Sequence, residues 1–179
     1  MDLATEGRDR ADEIAALFSR TFTDSEGADE GRLIGELARA LVADTPEADR
    51  YVFTARDDGA LAGCIVFSRL IYPEDARTVF ILAPVAVATG RQGQGIGQAL
   101  LRFGLAEMRR HGAEVAMTYG DPAYYGKVGF RPITEADAAA PFPLSIPHGW
   151  LAQSLTDRPL DRLMGPSSCV PALADPAYW

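Results

Sequence analysis

Residues 92–97 read Gln-Gly-Gln-Gly-Ile-Gly, and their types and spacing suit them to hold an anion. They follow a mostly apolar run of strand length at 80–87 and precede residues 98–111, which have helical periodicity. A helix N-terminus offers unpaired backbone N–H groups and partial positive charge, and glycines let a phosphate approach the backbone. Two common nucleotide loops do not fit. Gly90 and Gly95 have P-loop spacing, but Ile96 and Gly97 stand where Lys and Ser or Thr are needed. A Gly-x-Gly-x-x-Gly fingerprint ends on Gln98 if begun at Gly93 and on Leu100 if begun at Gly95. The pattern that does fit is Gln-x-x-Gly-x-Gly, at Gln92, Gly95 and Gly97.

With this loop, with Leu-Ala-Pro-Val-Ala-Val at 82–87 and with Gly-Asp-Pro-Ala-Tyr-Tyr-Gly-Lys-Val-Gly-Phe at 120–130, the chain resembles the GNAT superfamily of acetyl-coenzyme A-dependent N-acetyltransferases over roughly residues 50 to 132. The resemblance implies that Gln92, Gly93, Gln94, Gly95, Ile96 and Gly97 bind the coenzyme A pyrophosphate. It implies that the pantetheine arm pairs with the backbone at Val85, Ala86 and Val87, where the strand carrying Pro84 splays from its neighbour. Asp121 joins the cofactor-binding set. Tyr125, five residues before Phe130, is the implied proton donor to the coenzyme sulfur, and a phenol is protonated at neutral pH.

Acetyl transfer to an amine asks for little else. A donor must meet the carbonyl oxygen as charge develops, and backbone N–H groups near residues 85–87 are the natural candidates. Neither a metal nor a covalent enzyme intermediate is required, and the chain has no metal-ligand spacing. No carboxylate lies within 80–87 to serve as base, and Glu74, Asp75 and Asp121 have no compelling position. Arg91 is either a phosphate ligand or an exposed loop residue. Cys64 reads as a small buried strand residue, and His111 as the cation at a helix end.

The elements that must position these groups follow from periodicity. Residues 8–23 carry a helical apolar stripe, and residues 23–27 read as the turn that ends it. A second helix spans about 28–42, with Leu33, Ile34, Leu37, Ala38, Leu41 and Val42 on one face. Residues 51–55 and 61–71 flank an Asp57-Asp58-Gly59 turn as a hairpin, and residues 78–87 extend it to an antiparallel meander. The helix after the glycine loop buries Ile96, Leu100, Phe103 and Met108, and a parallel strand follows at 115–118. Asp121 and Pro122 should open a short helix, with a strand at 128–132. Beyond residue 133 the chain should add a strand or two, with Trp150, Tyr178 and Trp179 in packing roles.

The expected fold is therefore α/β (α+β), a GNAT-like mixed, mostly antiparallel sheet with helices. One domain is expected over 1–179, its core at about 8–135 and an extension at 136–179. A net charge of −8 argues against nucleic-acid binding, and no apolar run approaches the ~20 residues that span a bilayer. Two cysteines and the absence of a signal core indicate a cytoplasmic protein, and the Ala/Arg bias a GC-rich bacterial genome. The expected reaction takes acetyl-CoA, or another acyl-CoA, to a primary amine of a small molecule or peptide. A noncatalytic acyl-CoA sensor on the same fold is the alternative, and the oligomeric state, a homodimer included, is open.

Overall fold

The computed structural model describes all residues, Met1–Trp179. Eight strands and four helices follow the order β1 (Asp2–Thr5), α1 (Ala11–Glu26), α2 (Ala28–Ala43), β2 (Arg50–Asp57), β3 (Ala60–Ile71), β4 (Val79–Val87), α3 (Ile96–Arg110), β5 (Val115–Tyr119), α4 (Pro122–Tyr125), β6 (Arg131–Pro132), β7 (Trp150–Ser154), β8 (Ser168–Cys169). The sheet order is β1-β2-β3-β4-β5-β7-β6, with β8 paired to β3. β4 and β5 are parallel, whereas β1–β2, β3–β8, β5–β7 and β6–β7 are antiparallel. No helix is long and apolar enough to cross a membrane.

The chain divides into two compact units, residues 1–67 with 84–104 and residues 68–83 with 105–179. In the first, α1 buries Ile14, Leu17 and Phe18, and α2 buries Leu37, Ala38, Leu41 and Val42. The expected turn at 23–26 is instead helical: α1 continues to Glu26, and Gly27, at φ 101°, alone separates the two helices. Glycine can hold that φ without a Cβ clash, so no longer turn is needed. Asp58 and Gly59, both at positive φ, make the tight β2–β3 hairpin the Asp-Gly signal predicts. β1, unforeseen in the sequence, pairs with β2 from Asp2↔Arg56 to Thr5↔Phe53. Phe53 meets Phe67 and Phe103 edge-to-face at 6.1 and 5.6 Å. Phe103 is half-buried rather than buried. Arg56 fastens α1 to β2 through a two-pronged bond to Glu13 at 2.9 and 2.7 Å.

In the second unit, β4 pairs with β5 only from Val79↔Val115 to Leu82↔Thr118. Pro84 lies beyond that last pair, where its missing N–H costs no ladder bond on this side. The extension supplies β7 and β8, and β7 inserts between β5 and β6. The strand expected at 128–132 shrinks to Arg131–Pro132, because residues 126–128 form a 3-10 turn and Gly129 takes φ 103°. The buried Trp150 donates to Ala138 O at 2.9 Å, and Trp179 to Leu173 O at 3.0 Å. The indole rings thus serve packing, with their N–H groups satisfied.

Candidate active site

The glycine loop begins as β4 ends. Residues 89–91 make one 3-10 turn, and α3 starts at Ile96. Ala99 N–H bonds Gly95 O at 3.0 Å and closes the first helical turn, so the amides of Ile96 and Gly97 precede the intrahelical ladder. Gly93 and Gly95 adopt φ 74° and 80°, and a Cβ built on either meets no atom within 4 Å. Space rather than a packing partner faces them. A glycine serving only strand–helix packing would be crowded there, so the loop fits an anion laid against bare backbone.

The loop's side chains brace it. Gln92 Nε2 donates to Val87 O at 3.0 Å, and Gln94 accepts from Arg91 Nε at 3.2 Å. Thr89 Oγ1 donates to Asp24 on α1 at 2.6 Å. Arg91 forms an ion pair with Asp57 at 2.6 Å, and its guanidinium holds the Asp57 carboxyl below the usual range. Arg91 is therefore engaged rather than idle. Ala88 N–H donates to Ala62 O at 2.9 Å. Backbone groups alternate edges along a strand, so the Ala86 amide shares that edge while Val85 and Val87 amides take the other.

In the second unit, Asp121 caps α4 by accepting from Ala123 N at 2.8 Å, with Pro122 at the first helical position. That short helix places Tyr125, whose ring lies edge-to-face with Phe130 at 5.8 Å and Tyr124 at 5.2 Å. Burial pushes the Tyr125 phenol up to about 12, and a hydrogen bond with the Thr118 hydroxyl acts in the opposite direction. Thr118 is fully buried, and its Oγ1 donates to Leu82 O at 2.8 Å.

The remaining candidates take structural positions. Asp75 is held ionised by Arg77, with Met164 N–H also donating to it, which makes it a poor base. Glu74 packs beside Gly165. Cys64 is fully buried, and desolvation pushes its thiol up. His111 is exposed just past α3. Sequence reasoning missed His148, which with Asp121 and Tyr119 lines a cavity of about 360 Å³. Only the β5–β7 pairing, Tyr119↔Trp150, brings these distant positions together, and no local pattern announces it. No group of three or more His, Cys, Asp or Glu side chains is arranged to hold a metal ion.

A parallel strand pair whose register ends at Leu82↔Thr118, a glycine loop opening a helix, and a half-buried tyrosine on the following short helix define an acetyltransferase fold of the GNAT type. Residues 11–130 match the Acetyltransferase (GNAT) family. The chain is 32% identical over 155 residues to the uncharacterized N-acetyltransferase YjhQ of Escherichia coli K12, across 84% of this chain and 82% of that one. A GNAT family acetyltransferase from Brucella melitensis, solved in complex with acetyl-CoA, is 27% identical with a TM-score of 0.74, covering 96% of this chain and 97% of its own. The N-acetyltransferase YhbS of E. coli, solved with CoA, is 25% identical with a TM-score of 0.80, covering 97% and 92%. The chain belongs to the GNAT family and is an acetyltransferase.

Proposed function

We propose that this protein moves an acetyl group from acetyl-CoA to the primary amine of a small molecule or peptide by direct attack. The observation that carries the reading is the loop: Gly93 and Gly95 at positive φ, facing open space, immediately before the N-terminus of α3. The amides of residues 93–97 would hold the pyrophosphate, with Gln92 and Gln94 keeping the loop in shape. The amides of Val85 and Val87 are assigned to the pantetheine arm and to the acyl oxygen, Ala86 to the wall beneath them. Asp121 acts through the cap that sets α4.

When bound, acetyl-CoA supplies the acyl group and a thiolate leaving group. Tyr125 is assigned the proton that the sulfur takes up. Its raised phenol is protonated across the neutral range, and burial disfavours any nearby anion, a departing thiolate included. Two free cysteines, one of them buried, suit a reducing, cytoplasmic compartment.

The test is calorimetric titration with acetyl-CoA of the wild type and of Gly95→Glu. Micromolar binding to the wild type, lost in a variant that keeps its circular dichroism spectrum, supports the loop as the pyrophosphate site. A folded wild type that gives no heat with acetyl-CoA overturns it.

A further inference from the structure

The cavity beside α4 has a construction that the acetyl-transfer reading does not explain. Its floor is backbone, since Gly120 N–H donates to Gly149 O at 2.9 Å. A Cβ on Gly149 would lie 3.1 Å from Gly120 O and 3.3 Å from the Tyr119 ring, so no side chain can rise from that floor without displacing it. One wall is the Tyr119 ring. Its hydroxyl is tied to the Ile146 amide and, at 3.1 Å, to Ser145 Oγ, which fixes the ring where it lines the cavity.

The other apolar walls are Pro122 and Ile146. Ile146 is 52% exposed, one of four large hydrophobic residues left so open. An aliphatic side chain held at a cavity mouth beside an aromatic ring is a surface waiting for apolar contact. The polar groups are two, the Asp121 carboxylate and the His148 imidazole. Asp121 spends Oδ1 on the α4 cap, which leaves Oδ2 to face a cation.

The cavity also adjoins the proposed proton donor. A Cβ on Gly120 would come within 2.8 Å of Tyr125 Cε2, so the Tyr125 ring lies directly against the residue that forms the cavity floor. A group seated in the cavity is thus one backbone residue away from that ring.

We infer that this cavity is the acceptor subsite, and that the acceptor is a small monoamine with an apolar aryl or alkyl body, its ammonium set against Asp121 and giving up a proton to water before the neutral nitrogen attacks the thioester carbonyl. The inference rests on the acetyl-transfer reading and narrows its substrate class. The volume is at the small end for ligand pockets, which run from about 300 to 1,000 Å³. A single lining carboxylate balances one positive charge, whereas a polycation would leave charges unpaired against apolar walls. The protein's net charge of −8 draws amines of any kind, so selection among them falls to the walls.

The experiment measures binding apart from turnover. 2-Phenylethylamine, ethylamine and spermidine are titrated by ligand-observed NMR against the wild type and Ile146→Ser, each with and without CoA. Ile146 is exposed, so its replacement leaves the fold intact, and acetyl-CoA affinity is expected to stay at the wild-type value. The expected result is phenylethylamine binding at least tenfold tighter than the other two amines and weakened at least fivefold in Ile146→Ser. Equal affinity for ethylamine, tighter spermidine, or indifference to Ile146→Ser overturns the inference. Acetylation of the same amines is followed by thiol release. Selective binding without acetylation supports the subsite and overturns the transfer reading; acetylation of phenylethylamine unchanged in Ile146→Ser overturns the subsite alone.

Discussion

The Thr118 hydroxyl donates to the Leu82 carbonyl across the last pair of the β4–β5 register, at 2.8 Å. The bond closes the parallel ladder at its final pair, and the same hydroxyl lowers the Tyr125 phenol against the upward effect of burial. Thr118→Val keeps the shape, removes the bond to the Leu82 carbonyl and takes away the hydroxyl that acts on the Tyr125 phenol. The expected cost is about 1–3 kcal/mol of stability. As a positioning effect, kcat should fall while the KM for acetyl-CoA holds. Thr118→Ser should restore both melting temperature and kcat. A Ser variant no better than Val would show that only the methyl group matters.

Tyr125→Phe removes the proposed proton donor and leaves the ring packed on Phe130. General acid catalysis contributes about 10²- to 10⁴-fold, so kcat should drop by roughly 10² with little change in acetyl-CoA affinity. Because burial raises the phenol to about 12, its proton stays in place at pH values where an ordinary tyrosine begins to ionise. The wild-type rate should therefore show no decline from this group between pH 8 and about 10. Steady-state rates measured across that interval check the point.

Asp75 and Arg77 clasp the segment at 161–164. Arg77 bonds Asp75 at 2.7 Å and donates to the carbonyls of Asp161 and Arg162, while Met164 N–H donates to Asp75 at 3.0 Å. Arg77 holds the Asp75 carboxyl well below the usual carboxylate range. A depressed folded-state value gives stability that is full above the unfolded value, near ~3.9, and that is lost as pH falls toward the folded one. Asp75→Asn should cost about 1–3 kcal/mol at pH 7, a range set by loss of a charged, mostly buried hydrogen-bond partner. Its deficit relative to wild type should shrink in urea melts taken from pH 5 downward. A constant deficit would place the effect outside Asp75 ionisation.

The conformation of the loop was legible because glycine spacing writes positive φ directly into sequence, and Gly93 and Gly95 adopt it. The short helix α4 was legible through its Asp121-Pro122 start, whereas Tyr125 was singled out only by the resemblance, through its spacing before Phe130. The hairpin was announced by Asp58-Gly59. What stayed hidden depends on partners far away in sequence. β1 is four residues long and paired with β2, too short for alternation to mark it. The apolar stripe of α2 was read through Leu33 and Ile34, yet both are half-exposed and Gly31 and Gly35 are buried. Glycine lowers helix propensity, so sequence reading counts it as a weakness. Here it admits α1: a Cβ on Gly31 would fall 1.9 Å from Thr23 Oγ1 and 2.6 Å from Ser19 O. Gly31→Ala should therefore destabilise by about 1–3 kcal/mol, against the gain its helix propensity alone predicts. Thermal melts decide the sign.

The Arg91–Asp57 pair sets the charge at the mouth of the glycine loop. Its 2.6 Å ion pair, with the Met1 ammonium 3.8 Å from the other Asp57 oxygen, draws a cation of the loop toward a carboxylate. In the proposed binding mode, a pyrophosphate arriving at residues 93–97 would meet Arg91 partly neutralised and Asp57 as a like charge. Asp57→Asn keeps the side-chain shape and removes the negative charge, so Arg91 becomes available to the incoming anion. Acetyl-CoA affinity should rise about threefold at low salt, and the gain should fade as salt rises, because the groups are partly solvent-exposed and screened. Calorimetry at two ionic strengths is the check. Weaker binding in Asp57→Asn would mean that the ion pair's main effect is to hold the loop in its binding shape, with Arg91 acting as a brace rather than a phosphate ligand.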